Sequence, residues 1–272
     1  MASELAKQIK AGRAEQTQAE PKTGDVIAVW FSCGSASAVA AKRTIEKYGD
    51  YCTIRVINNP VKEEDSDNLR FLKDVEKWLG IDIELATNPK FPSASCVEVW
   101  DARSYMSGVA GAPCTYELKK QARSHWEKSN HADWVVLGFT ADEQHRYERF
   151  KQSERNNTLG VLIDDGITKA DCFMRIMEAG IELPAIYKRG YPNANCIGCV
   201  KATSPTYWNH VREKDPEVFK HRAEQSRRVG ARLVRHKGKR IFLDELPEDA
   251  KGRPMKNMQV ECGIFCGMDD EA

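Results

Sequence analysis

The chain lacks any long apolar run. No stretch approaches the ~18 apolar residues that a membrane-spanning helix requires, so no span and no membrane partner are expected. It also lacks an excess of charge of either sign. With 41 Lys and Arg against 40 Asp and Glu, the net charge is +1, and bulk charge offers no attraction to a polyanion. Residues 1–24 are polar and contain no apolar core of a secretory signal. Nine cysteines without such a signal point to a reducing cytoplasm, with thiols free or metal-bound rather than paired in a disulfide framework. Internal repeats and low-complexity tracts are absent.

What is present is an alternation of apolar runs and amphipathic stretches. The continuous apolar run 26–31 predicts a buried strand. Further strands are predicted at 53–57, 81–86 and 134–139, with helices at 38–48, 65–79, 113–128 and 168–179. Pro113 opens one of those helices, and Gly180 closes another. Such alternation implies a doubly wound α/β fold, a mostly parallel sheet covered on both faces. Beyond Cys199 the pattern changes. Residues 205–229 read as helical, and 231–243 as a basic hairpin turning at Lys237-Gly238. The expected organisation is therefore a polar extension (1–24), a nucleotide-binding α/β domain (25–200), and a helical and hairpin appendage with a cysteine-containing tail (201–272).

Two features carry chemistry. The first is the small-residue loop that follows the strand at 26–31, Ser32-Cys-Gly-Ser-Ala-Ser37. A strand running through small residues into a helix lets backbone N–H groups approach an anion, and the helix N-terminus adds partial positive charge. Ser32, Gly34, Ser35 and Ser37 are the candidate phosphate contacts. The loop fits neither the lysine-containing P-loop nor the three-glycine dinucleotide fingerprint. The second feature is two cysteine pairs, Cys196 with Cys199 and Cys262 with Cys266. Close spacing lets both sulfurs of a pair turn toward one centre, as metal or redox chemistry needs. Cys33, Cys52, Cys96 and Cys172 read as small buried residues.

Strand-Ser32-x-Gly34-x-x-Ser37-helix resembles the pyrophosphate loop of the adenine-nucleotide α-hydrolase (PP-loop) superfamily. Ala36 stands where adenylating members carry an acid that helps hold magnesium; reductases of the family often lack that acid. Several further segments are similar to the sulfonucleotide (PAPS/APS) reductases: Cys114-Thr-Tyr-Glu-Leu-Lys-Lys120, Gly138-Phe-Thr-Ala-Asp-Glu-Gln-His-Arg146, the run from Ile181 to Cys199, and Gly252-Arg253 through Glu261-Cys262-Gly263-Ile264.

The resemblance implies an oxidoreductase that moves the sulfonyl group of adenylyl sulfate or 3′-phosphoadenylyl sulfate onto Cys262. A thiol reductant such as thioredoxin or glutaredoxin then releases sulfite. It implies nucleotide or sulfate contacts from Lys119, Gly138, Asp142, Glu143 and Arg146, and from Arg253 and Lys256 beside the nucleophile. Phe265 replaces a histidine common in the reductase tail, and Cys266 is an additional thiol. For the cysteine centre, the resemblance implies a four-iron four-sulfur cluster on Cys114, Cys196 and Cys199, with Cys266 as fourth ligand. A zinc site of Cys196, Cys199, Cys262 and Cys266 and a set of unliganded core thiols stay open beside it. An ATP-dependent sulfur transferase acting on tRNA or DNA is the alternative activity, and a non-catalytic nucleotide-binding relative a further one. For the transferase, the nine Lys and Arg of residues 220–240 supply a candidate nucleic-acid contact.

Overall fold

The computed structural model describes residues 20–108 and 111–255. Strand β1 (Val26–Phe31) lies at the centre of a five-stranded sheet. It is flanked by β2 (Thr53–Asn58) and β4 (Trp134–Val136), with β3 (Ile83–Leu85) and β5 (Thr158–Leu159) at the edges. Every pairing in this sheet is parallel. A central parallel strand is buried on both faces, which is why β1 reads as an unbroken apolar run. Successive side chains point to opposite faces. Ile27, Val29 and Phe31 pack with Val39 of α1 (Ser35–Tyr48), Phe71 and Val75 of α2 (Asn68–Leu79), and Ile176 of α7 (Lys169–Glu178). Ala28 and Trp30 turn to the other face and meet Trp126. The sheet is thus wound on both faces, as the alternating pattern predicts.

Trp126 belongs to a helical rod, α4, formed in succession by Pro113–Thr115, a π-helical stretch Tyr116–Gln121, and Ala122–Ser129. Between β3 and this rod lies α3 (Cys96–Arg103). Ser95 caps it by accepting the Glu98 N–H. After β4 come a 3₁₀ turn (Ala141–Glu143), α5 (Gln144–Ser153), β5 and the short α6 (Val161–Asp164). Helix α7 opens on a capping box, in which Thr168 and Asp171 satisfy each other's backbone N–H groups. Next is the short α8 (Ala185–Lys188). Asp67, whose carboxyl is held below its ordinary pKa chiefly by the Arg70 guanidinium, accepts the Ala185 N–H at 2.8 Å and ties α8 to α2.

The C-terminal helices divide where the pattern reads as one helical region. Asp215-Pro216 separates α9 (Pro205–Lys214) from α10 (Pro216–Val229), because Pro fits the first turn of a helix but not its interior. The hairpin β6 (Val234–His236) and β7 (Lys239–Ile241) turns at Lys237 and Gly238, both with positive φ. Trp208 and Val211 of α9, Leu233, Val234 and Leu243 share one apolar cluster with Val61, Phe91, Trp100 and Leu118. Among the described residues no helix is long and apolar enough to cross a membrane.

The central sheet sets the expected sensitivity to truncation. Ile57 on β2 is fully buried, whereas Leu85 on edge strand β3 is 64% exposed. Ile57→Ala should cost about 2–5 kcal/mol in urea unfolding, and Leu85→Ala less than about 0.5 kcal/mol. Equal losses would contradict this assignment of the core.

Candidate functional site

The loop Ser32–Ser37 leaves the C-terminal end of β1, the edge at which open parallel sheets receive ligands. Ser37 locks it. Its Oγ accepts the Ser32 N–H at 3.1 Å and donates to the Gly34 carbonyl at 2.9 Å. Cys33 holds a positive φ of 55°, and burial raises its thiol pKa. The chain then enters α1 at Ser35, so the first free N–H groups of a 14-residue helix face the loop. Gly138, just beyond β4, presses against this turn. A Cβ there would stand 2.7 Å from the Ser37 nitrogen and 2.9 Å from its Cα, so only glycine permits the approach.

Around the loop opens a cavity of ≈ 140 Å³. Ser32, Gly34, Ser35, Ser37, Lys119, Gly138, Glu143 and Arg146 all line it, as does Ala36. Four cations border it (Lys119, Arg123, Arg146 and Lys169) against two carboxylates, Glu64 and Glu143. The carboxylates are engaged: Glu64 pairs with Lys119 at 3.2 Å, and Glu143 with Arg146. Burial raises the pKa of Glu64 against the pull of Lys119, and Lys119 also donates to the Asn59 carbonyl at 2.8 Å. Among the described residues the Lys169 ammonium donates to neutral oxygens, those of Pro192 and Asn193. Ser35 Oγ and Trp30 Nε1 are buried in the lining without a hydrogen-bond partner among the described residues. Spare positive charge, unpartnered donors and a helix N-terminus suit a polyanion, and the rings of Trp30, Phe139 and Phe150 suit a flat apolar group.

Two predicted contacts stand elsewhere. The Asp142 carboxylate does not line the cavity; it accepts the Lys169 N–H at 3.0 Å and so caps α7. A carboxylate at a helix N-terminus is already satisfied there. Arg253 is likewise absent from the lining, and its carbonyl accepts a hydrogen bond from Ser204 Oγ at 2.9 Å. Lys256, Cys262 and Cys266 lie outside the described residues. Conversely, Trp30, Arg123, Lys169, Asn193 and Asn195 line the cavity without having been singled out by motif. Their place within the run from Ile181 to Cys199 is the one signal that could have marked Asn193 and Asn195.

The cysteines form the second part of the site. Cys114, at the start of α4, and Cys196 both make side-chain hydrogen bonds with Cys96, the first residue of α3. Cys196 and Cys199 line one small cavity with Tyr191 and Tyr207. All four thiols are buried in one apolar cluster, and none is in a disulfide. Cys96 is buried, as expected, but it is no mere filler. The hydrogen bond from Cys96 lowers the Cys114 thiol to about 7 against the effect of burial, with Lys201 and Trp100 adding to the shift, while Cys96 itself is raised. The loop between the pair turns at Gly198, φ 67°. Asn193 and Asn195 line both this cavity and the larger one, so the cysteine centre and the loop cavity share a wall. Among the described residues no three His, Cys, Asp or Glu side chains stand as a ready chelate for a single metal ion. What points to a metal centre is the donor chemistry: Cys114 and Cys196 meet at Cys96, and Cys199 lines a small cavity with Cys196, soft sulfur of the kind an iron–sulfur cluster takes.

No protein-family model matches the chain, and no curated protein matches it. A similar solved structure is the U34-tRNA thiolase NcsA from Methanococcus maripaludis with its 4Fe-4S cluster. The identity is 10%, covering 84% of this chain and 78% of that one, at a TM-score of 0.43. A likeness this slight carries nothing about function.

The close approach at Gly138 gives a direct test of the cavity. If the cavity takes the adenine nucleotide that the loop's resemblance implies, Gly138→Ala should push the Ser35–Ser37 turn outward and weaken that binding about tenfold, the effect of roughly 1.4 kcal/mol of overpacking. Isothermal titration with wild-type-like circular dichroism would establish it, and unchanged affinity would place the ligand elsewhere.

Proposed function

We propose that this chain is an adenine-nucleotide-dependent sulfur-transfer enzyme that holds a four-iron four-sulfur cluster on Cys96, Cys114, Cys196 and Cys199. The observation that carries the reading is the shared wall: Asn193 and Asn195 face the anion-binding cavity, and the next residue, Cys196, belongs to the cysteine centre. The Ser35–Ser37 turn binds phosphate through its N–H groups, and Ser35 Oγ adds a donor. Lys169 and Arg146 balance the ligand's charge, while Trp30 and Phe139 border its base. When bound, a cluster supplies a compact redox-active or Lewis-acidic centre beside the nucleotide. The chain's part is to bring four thiolates to it and to seal it from water with Tyr191, Tyr207 and Trp208.

The reductase form of this activity is supported by the donor set itself. With Cys96 as fourth ligand, neither Cys262 nor Cys266 is required for the cluster, and Cys262 stays free to attack sulfur. Ala36 in the loop agrees with a reaction that needs no magnesium-holding acid there. The ATP-dependent sulfur-transferase form is favoured by a different observation. Lys220, Arg235, Lys237 and Lys239 are exposed and have no acidic partner among the described residues, in contrast to Arg227, which pairs with Asp244 and Glu245. Such cations suit a nucleic-acid backbone.

Two measurements test these statements. Anaerobically purified chain should carry about four iron atoms and four sulfides. Cys96→Ser and Cys196→Ser should each lose them, whereas Cys52→Ser and Cys172→Ser should keep them. Retention of iron by Cys96→Ser would remove Cys96 from the ligand set. The reaction itself is read by offering sulfonucleotide or ATP with magnesium. Sulfite release, with a thiosulfonate adduct mapped to Cys262, selects the reductase, and magnesium-dependent pyrophosphate release selects the transferase. Neither product from cluster-loaded, nucleotide-binding protein would contradict sulfur transfer altogether.

A further inference from the structure

Arg222 on α10 is 4% exposed, yet no carboxylate pairs with it among the described residues. Its Nε donates to the Gly198 carbonyl at 3.2 Å, and a terminal nitrogen donates to Gln225 Oε1 at 2.9 Å. Its guanidinium carbon lies 4.5 Å from the centre of the Trp100 ring. Burying a cation without a counter-charge carries a heavy desolvation penalty, as removing one partner of a buried pair does. A carbonyl, an amide and an aromatic face recover only part of that. The contacts of Arg222 both lead to the cysteine centre. Gly198 stands between Cys196 and Cys199, and Trp100 stands on the helix that Cys96 opens. Trp100 has an unmet need of its own. Its Nε1 is buried without a hydrogen-bond partner among the described residues, and Trp100 packs in the same buried cluster as Cys96 and Cys114. An unpaired buried cation and an unpartnered buried N–H, stacked on each other, are both satisfied by negative charge on the cysteine sulfurs.

We infer that Arg222 and Trp100, beside Lys201, contribute counter-charge to the cysteine centre, Arg222 acting on the negative cluster across Gly198 and Trp100, and Trp100 donating to the Cys114 sulfur. The inference rests on the four-cysteine reading above. A nearby positive charge and a hydrogen bond to a ligand sulfur both stabilise the more reduced, more negative state of a cluster, so both raise its reduction potential. Arg222 touches no reacting atom in this scheme; it tunes the centre through electrostatics.

The test compares Arg222→Gln, Arg222→Lys and Trp100→Phe with the parent, all purified anaerobically. Iron and sulfide are assayed, and the one-electron step that the parent centre makes is titrated by EPR. The rate of iron loss to an added chelator is followed alongside. Arg222→Gln should move the redox equilibrium at least tenfold toward the oxidised state, about 59 mV for one electron, and should speed iron loss at least tenfold. Arg222→Lys, which keeps the charge, should recover most of both effects. Trp100→Phe, which keeps an aromatic face for Arg222, should shift the potential in the same direction and decides the matter if Arg222→Gln does not fold. Potential and chelator rate unmoved in cluster-loaded Arg222→Gln, or in Trp100→Phe where it alone folds, would overturn the inference. Equal effects of Gln and Lys would do so too, since packing rather than charge would then be at work. A parent chain without iron would instead overturn the four-cysteine reading, and this one with it.

Discussion

Glu63 joins the stretches of chain on which the cysteine centre depends. Its carboxylate accepts hydrogen bonds from Ser95 Oγ at 2.6 Å and from the Cys96 N–H at 2.7 Å. Its own carbonyl accepts the Ile197 N–H at 3.2 Å. One residue therefore anchors the N-terminus of α3, where a negative charge is favourable, and the loop between Cys196 and Cys199. The loop that carries Glu63 leaves the end of β2, and the neighbouring Glu64 turns into the anion cavity to meet Lys119. Cavity and cysteine centre are thus held in register by adjacent side chains at the same edge of the sheet.

That arrangement brings two kinds of charge together. The cavity is bordered by cations with few free carboxylates, whereas the centre gathers thiols whose ionised forms are negative. Buried charges of opposite sign stabilise each other across a low-dielectric wall far more than they would in water. The wall itself, Asn193 to Asn195, is held by Lys169, which donates to the Pro192 carbonyl and to Asn193 Oδ1. Lys169 in turn is placed by the capping box of α7 and by Asp142.

Much of the frame was legible in the sequence because it rests on local pattern. The apolar run at 26–31 announces a strand buried on both faces, and Lys237-Gly238 announces the hairpin turn. Strand β5, only Thr158–Leu159, is too short to carry periodicity. Helix α3 is not legible in the sequence because Cys-Val-Glu-Val-Trp-Asp-Ala-Arg has no strong apolar stripe; its Ser95 cap is local, but its burial comes from tertiary contacts. In the site, the serine loop and Gly138 were readable because close backbone approach demands small residues. Asp142 carries the expected motif but spends its carboxylate on a helix end. Cys96 has no close cysteine neighbour in sequence; the packing of α3 on the start of α4 brings it to Cys114, and Glu63 links it to the loop of Cys196. Arg222 and Lys169 were indistinguishable from surface cations until burial and partners were known.

On the reading proposed above, Cys96, Cys114, Cys196 and Cys199 enclose one iron–sulfur cluster. The most direct measurement is an anomalous-difference map at the iron edge from a crystal of anaerobically purified chain. The account predicts a single compact iron peak bounded by these four sulfurs, with Cys262 and Cys266 outside its ligand sphere. A peak bound by Cys262 or Cys266 in place of Cys96, or a zinc signal at that position without iron, would contradict it.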